Sequence, residues 1–100
     1  ENLEIAIEGE GFEVNEMYPV YIEVARKQGE KGAETATSWA LAAEKVHEKL
    51  YKKAKETAAQ GKDADITVLN VCSVCGFTVE GEAPAKCPVC GSPREKFKEF

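Results

Sequence analysis

Ala43-Glu44-Lys45-Val46-His47-Glu48 lies in the middle of the longest uninterrupted helical pattern in the chain. Glu44 and His47 are three apart, so on a helix of about 3.6 residues per turn they project from one face. That face is otherwise apolar, with Ala33, Ala36, Ala40, Ala43, Val46, Leu50 and Ala54 recurring at spacings of three and four. An unpaired carboxylate buried there would cost several kcal/mol or take up a proton. A metal ion supplies the missing opposite charge, and an inward-pointing Glu-x-x-His is a way helical bundles hold one.

Working outward, this helix is expected from about Ala33 to Ala59, with Gly61 as its stop. Lys45, Glu48, Lys49, Lys52, Lys53, Lys55 and Glu56 form its wet side. Before it, Gln28-Gly29-Glu30-Lys31-Gly32 is too short for anything except an antiparallel return. A first helix is expected from about Leu3 to Lys27, with Leu3, Ile7, Val14, Met17, Tyr21 and Val24 as its apolar stripe. Glu10 and Glu13 interrupt that stripe, Gly9 and Gly11 invite close approach of another backbone, and Pro19 should bend the helix. If the turn centres near residue 30, residues level across the hairpin have numbers summing to about 60. Glu13 then faces His47, with Glu10 and Glu44 within roughly a turn. Four candidate ligands meet at one height.

The 100 residues carry a net charge of −5 and a pI near 5.0, with basic and acidic residues interleaved. Phosphate binding needs a basic face, so nucleic acid is not an expected partner. No apolar run approaches the roughly 20 residues of a membrane span, and no signal-peptide pattern is present. With cysteines in C-x-x-C pairs, a reducing cytoplasm is the expected location. A chain this short buries a modest core, so metals or a second chain are expected to contribute stability. It opens at Glu1 without a methionine, which fits a piece of something longer.

Beyond a polar stretch from Gly61 to Asp65, Ile66-Thr67-Val68-Leu69-Asn70-Val71 is a β-prone run leading into the cysteines. Cys72-Ser73-Val74-Cys75-Gly76 and Cys87-Pro88-Val89-Cys90-Gly91 are two knuckles that can each place two thiolates on one ion. The glycine after each pair can take φ > 0 and aim backbone N–H groups at sulfur. Zinc would make this a structural ribbon and iron a one-electron carrier, and spacing does not separate them. Phe97 and Phe100 are expected to cover the module.

Taken together, these residues resemble the rubrerythrins. Gly9-Glu10-Gly11-Phe12-Glu13 and Glu16-Met17-Tyr18-Pro19 look like the third bundle helix of that family. Ala43-Glu44-Lys45-Val46-His47 looks like the fourth, and Cys72 to Cys90 like its rubredoxin-type tail. The resemblance implies residues 1–65 as a helical hairpin, half of a ferritin-like four-helix bundle, and 66–100 as a rubredoxin-like domain. It implies Glu10, Glu13, Glu44 and His47 as di-iron ligands and Tyr18 as a hydrogen-bond donor beside them. Cys72, Cys75, Cys87 and Cys90 would hold one iron, with zinc as the alternative. The activity implied is peroxidase: hydrogen peroxide is reduced to water in oxidative-stress defence, with NAD(P)H-derived electrons delivered by an upstream redox protein and relayed through the thiolate iron. One hairpin alone cannot enclose a di-iron site. A second copy, or a separate N-terminal half, is expected to complete the bundle.

Plainer readings stand beside these. A lone histidine on a helix is usually a surface or satisfied core residue, and only the company of Glu10, Glu13 and Glu44 lifts His47 above that. Trp39, Phe12, Tyr51 and Tyr21 read as packing. The chain could also be an electron carrier with a dimerisation hairpin, or a zinc ribbon on a helical stalk.

Overall fold

The computed structural model describes residues 1–66 and 68–100. The first arm of the hairpin runs unbroken through α1 (Asn2–Phe12), a π turn (Glu13–Met17) and α2 (Tyr18–Gln28). Within it the Tyr18 N–H donates to the Glu13 carbonyl, five residues back, the widened spacing of a π turn. Pro19 follows at once and has no N–H with which to continue the ordinary ladder. The disruption expected at Pro19 therefore takes the form of one extra residue just ahead of it.

That extra residue rotates everything downstream by roughly 100°. The stripe read through Tyr21 and Val24 is displaced accordingly. Tyr21 and Val24 are 50% and 46% exposed, while Ala25 becomes the buried residue of α2 at 6%.

Gly29 ends α2 at φ 72°, with its N–H on the Arg26 carbonyl (3.1 Å) and the Glu30 N–H on the Ala25 carbonyl (2.9 Å). This paired closure needs only one residue in the left-handed region. The connection thus shrinks to Gly29 and Glu30, and α3 (Lys31–Ala59) begins two residues before the expected Ala33. Gly61, at φ 69°, closes the far end in the same way. Ion pairs span the two arms at both ends, Arg26–Glu34 at 3.0 Å and Lys55–Glu4 at 3.1 Å. Exposed pairs contribute at most about 1 kcal/mol each, so they set register more than stability.

The tail is a three-stranded antiparallel sheet of β1 (Leu69–Cys72), β2 (Thr78–Glu80) and β3 (Phe97–Glu99), in the order β2-β1-β3. The strand expected from Ile66 starts at Leu69, and Thr67 lies outside the described residues. The buried Asn70 amide donates to the Gly81 carbonyl (2.8 Å). Phe77 and Phe97 meet edge to face at 6.4 Å. Phe100, by contrast, is 73% exposed. It contributes only its backbone, exchanging hydrogen bonds with Leu69 at 2.7 and 2.9 Å.

The sheet rests on α3 through β2 and the first knuckle. Lys53 Nζ reaches both carboxylate oxygens of Glu80, at 2.9 and 2.7 Å. A Cβ on Gly76 would lie 3.7 Å from the Ala43 Cβ, so two small residues permit the approach. Close backbone approach was expected at Gly9 and Gly11 instead. Gly9 faces open space, and Gly11 is met by the Glu48 side chain.

Few residues are deeply buried: Ala25, Ala43, Ala83, Cys72 and Cys87 among the apolar ones, Asn70 and Thr78 among the polar. Phe12 and Tyr51, read as packing, are exposed, as are Ala33 and Ala36. Two helices cover only one side of each other. On the remaining apolar sides Phe12, Val20, Tyr21 and Val24 stay exposed.

Candidate metal centres

Among the described residues, two groups of side chains have the composition and spacing of metal sites. In the helical hairpin, ligand atoms of Glu10 from α1 and of Glu44 and His47 from α3 all lie within 4.8 Å of one another. His47 Nδ1 is 2.8 Å from Glu44 Oε2. Glu10 Oε2 is buried without a hydrogen-bond partner among the described residues. Such an atom costs about 1–3 kcal/mol or more when left unsatisfied. A cation in contact with it would remove that cost, so the donor set fits a metal.

The electrostatics agree. Burial, then the neighbouring carboxylates of Glu44 and Glu13, push the Glu10 carboxyl up to about 8. Burial pushes Glu44 the same way, but hydrogen bonds from Glu10 and His47 outweigh it and hold Glu44 below its ordinary value. The two carboxyls hold one proton between them, and it resides on Glu10. Like charges this close cannot both ionise without a counter-charge.

Glu13 stands at the start of the π turn, outside the three-residue group, and reaches it through its field on Glu10. Tyr18 is half-buried, and its phenol is raised first by burial and then by Glu44, Glu13, Tyr21 and Glu10. It packs edge to face on Tyr21 at 6.1 Å. Among the described residues its hydroxyl makes no hydrogen bond, so it stands beside the cluster without donating to it.

In the sulfur module the Cys72 and Cys90 sulfurs are 3.7 Å apart and those of Cys75 and Cys87 3.5 Å. Four sulfurs at about 2.3 Å from one ion would stand about 3.8 Å apart, so the cage is already near that size. No disulfide forms. Gly76 and Gly91 take φ of 80° and 76° and close the two knuckles through their N–H groups onto the carbonyls of Cys72 and Cys87, both at 2.9 Å. The positive φ then turns the next amide, of Phe77 or Ser92, towards the sulfur of Cys75 or Cys90. Burial raises Cys90, but the Ser92 hydroxyl and amide outweigh it and bring the thiol down to about 6. Burial raises Cys75 despite the Phe77 amide. A thiolate at Cys90 beside a thiol pressed upward at Cys75 makes a cage that suits a cation.

Sequence reasoning missed the outer neighbours of His47. Its Nε2 lies 3.0 Å from the Gly76 carbonyl and 3.0 Å from Thr78 Oγ1. Nothing in the local pattern around Thr78 signals this, because the contact joins residues 31 apart in the chain.

Comparison with known proteins agrees with these two sites. A family model described as rubrerythrin matches residues 1–55, and one described as the rubredoxin-like domain of rubrerythrin matches residues 71–98. Rubrerythrin-2 of Clostridium acetobutylicum is 47% identical over all of this chain and 54% of its own length. A putative rubrerythrin of Methanocaldococcus jannaschii is 42% identical over 98% of this chain and 50% of its own. A solved structure of nigerythrin in a mixed-valent state superposes with a TM-score of 0.86 at 31% identity, covering 99% of this chain and 48% of that one. The chain spans about half the length of the curated relatives it matches. With carboxylates and an imidazole on one helical face and four thiolates in the tail, both matched in order, the chain belongs to the rubrerythrin family.

Proposed function

We propose that this chain is the C-terminal half of a di-iron peroxidase, with its own iron–thiolate electron relay. Glu10, Glu13, Glu44 and His47 would hold the paired irons, and Cys72, Cys75, Cys87 and Cys90 the single one. The observation that carries the reading is the partnerless Glu10 Oε2 beside Glu44 and His47. An electron carrier or zinc ribbon with a dimerisation stalk gives that buried carboxylate nothing to do. A related nigerythrin has been described in a fully reduced, all-ferrous state, which supports iron over zinc.

Turning hydrogen peroxide into two waters takes two electrons and two protons. Paired iron would supply both electrons at once, and the thiolate iron would refill them singly. The residues of this chain do the rest. Glu10 and Glu44, which share a proton in the metal-free chain, would give it up on holding the irons, and Glu13 adds to the field on Glu10. Tyr18 lines the same pocket of negative charge. Gly76, next to Cys75, touches His47 and so brings the two centres into contact within one chain.

The exposed apolar sides of α1 and α2 fit completion of the bundle by a second copy or a separate N-terminal half. NAD(P)H-derived electrons from an upstream redox protein are the proposed supply. Free cysteines fit a reducing cytoplasm.

The test is peroxide consumption and iron content of Glu44→Ala and Cys75→Ser in the completed assembly. Glu44→Ala should lose helical-site iron and peroxide reduction while keeping the red thiolate–iron spectrum. Cys75→Ser should lose electron delivery while keeping helical-site iron. Peroxidase activity surviving in Glu44→Ala would overturn the assignment. A monomer by sedimentation that still bound two irons in its helices would refute the shared bundle.

A further inference from the structure

We propose that Thr78, with the Gly76 carbonyl, is a positioning residue for His47: it holds a proton on Nε2 and so reserves Nδ1 for metal. The inference deepens the reading of His47 as a ligand and rests on it. It adds that the outer support of the helical site comes from the sulfur module.

Gly76 O and Thr78 Oγ1 both stand 3.0 Å from His47 Nε2. A carbonyl oxygen can only accept, so a lone pair on Nε2 would face a lone pair on Gly76. An N–H at Nε2 removes that conflict and reaches both oxygens. The Thr78 hydroxyl hydrogen is directed elsewhere, since it donates to the same Gly76 carbonyl at 3.0 Å. All three groups are then satisfied: Nε2–H is shared by two acceptors, and the hydroxyl closes the triangle. Thr78 is only 7% exposed, so water does not readily replace it.

On the other side of the ring, Nδ1 points at Glu44 Oε2 from 2.8 Å, within the group that includes Glu10. Without metal, Nδ1 and Glu44 Oε2 share one hydrogen bond across that gap. With metal the ion takes its place, and the proton on Nε2 stays. Ligating imidazoles are commonly fixed by such a bond from the other nitrogen, and losing it typically lowers metal affinity 10–100-fold.

The placement of Thr78 depends on the docking of β2. The Lys53–Glu80 pair holds the end of that strand on α3, and Gly76 packs against Ala43 at its start. Thr78 lies between these two anchors. The cysteine module thereby orients a ligand of the helical site through hydrogen bonds, apart from any electron transfer.

His47 is the only histidine in the chain, so its ring nitrogens give unambiguous NMR signals. The experiment uses the full chain with one equivalent of zinc in the cysteine cage, recording long-range proton–nitrogen spectra before and after further zinc. Nε2 should be protonated in both states and its proton slow to exchange with water. In Thr78→Val, exchange should quicken roughly fivefold, the worth of one hydrogen bond. Zinc affinity at the helical site should fall at least tenfold, with Thr78→Ser restoring both. A wild-type ring protonated at Nδ1 and bare at Nε2 would overturn the proposal with no variant needed. So would Thr78→Val with unchanged exchange. If further zinc left the His47 signals unmoved, the ligand reading would fail, and the Nε2 proton would still decide the positioning.

Discussion

Replacing Glu10 with glutamine should stabilise the metal-free helices at alkaline pH and, at the same time, cost them their metal. Burial and the carboxylates of Glu44 and Glu13 raise Glu10 from its ordinary 4.5 to about 8. The folded chain therefore holds a proton here that the unfolded chain gives up above pH 4.5. Stability is greatest below 4.5, declines as pH rises, and levels off once the folded carboxyl ionises near 8. Each pH unit of that interval corresponds to about 1.4 kcal/mol. Part of the carboxyl is still solvated, and screening leaves about 1–3 kcal/mol of the total.

Glutamine has nearly the same shape and no such dependence. Its amide can donate to Glu44 or Glu13, and the partnerless Glu10 Oε2 disappears. With one equivalent of zinc filling the cysteine cage, urea unfolding followed by helix circular dichroism from pH 4 to 9 reads the difference. Wild type and Glu10→Gln should match near pH 4 and diverge by about 1–3 kcal/mol at pH 9, with the variant more stable. Titration with further metal should give the opposite order, the variant binding at least tenfold more weakly. If Glu10→Gln were no more stable at pH 9, the carboxylate would not be under strain. Equal metal affinity would show that it is not a ligand.

Gly29→Ala should cost about 1–2 kcal/mol in thermal unfolding from the positive φ alone, because a Cβ there meets nothing within 4 Å. Gly76→Ala carries the same backbone cost at φ 80°, while its Cβ would make only ordinary contact with Ala43. It should therefore speed removal of the cysteine-bound ion by a chelator without abolishing binding. Lys53→Ala breaks an exposed ion pair with Glu80 and should lower stability by no more than about 1 kcal/mol, an effect that vanishes in high salt. Stripping the ion from the cage should melt the sheet, whose few buried residues include Cys72 and Cys87. Helix circular dichroism should largely survive.

Local chemistry was legible from the order of residues. Glu44 and His47 share a face because a helix repeats every 3.6 residues, and Gly29 and Gly61 stop helices because they tolerate φ > 0. The hairpin arithmetic put Glu13 opposite His47 with Glu10 and Glu44 within a turn, because two rods advance equally per residue. The structure groups Glu10 with Glu44 and His47 and leaves Glu13 outside. Cys72, Cys75, Cys87 and Cys90 announced a cage because two C-x-x-C knuckles can do little else with so little chain between them.

What escaped the sequence needed the third dimension. The π turn ahead of Pro19 shifted the apolar stripe by one residue, so Ala25 went in while Tyr21 and Val24 went out. Hydrophobic periodicity cannot register that shift, because it assumes a constant pitch. The orphaned oxygen of Glu10 became visible only when packing excluded water from it. The contact of Thr78 and Gly76 with His47 depends on where a sheet comes to rest on a helix. Pattern along a chain fixes which groups can turn inward together, whereas docking between elements far apart in sequence decides which of them touch.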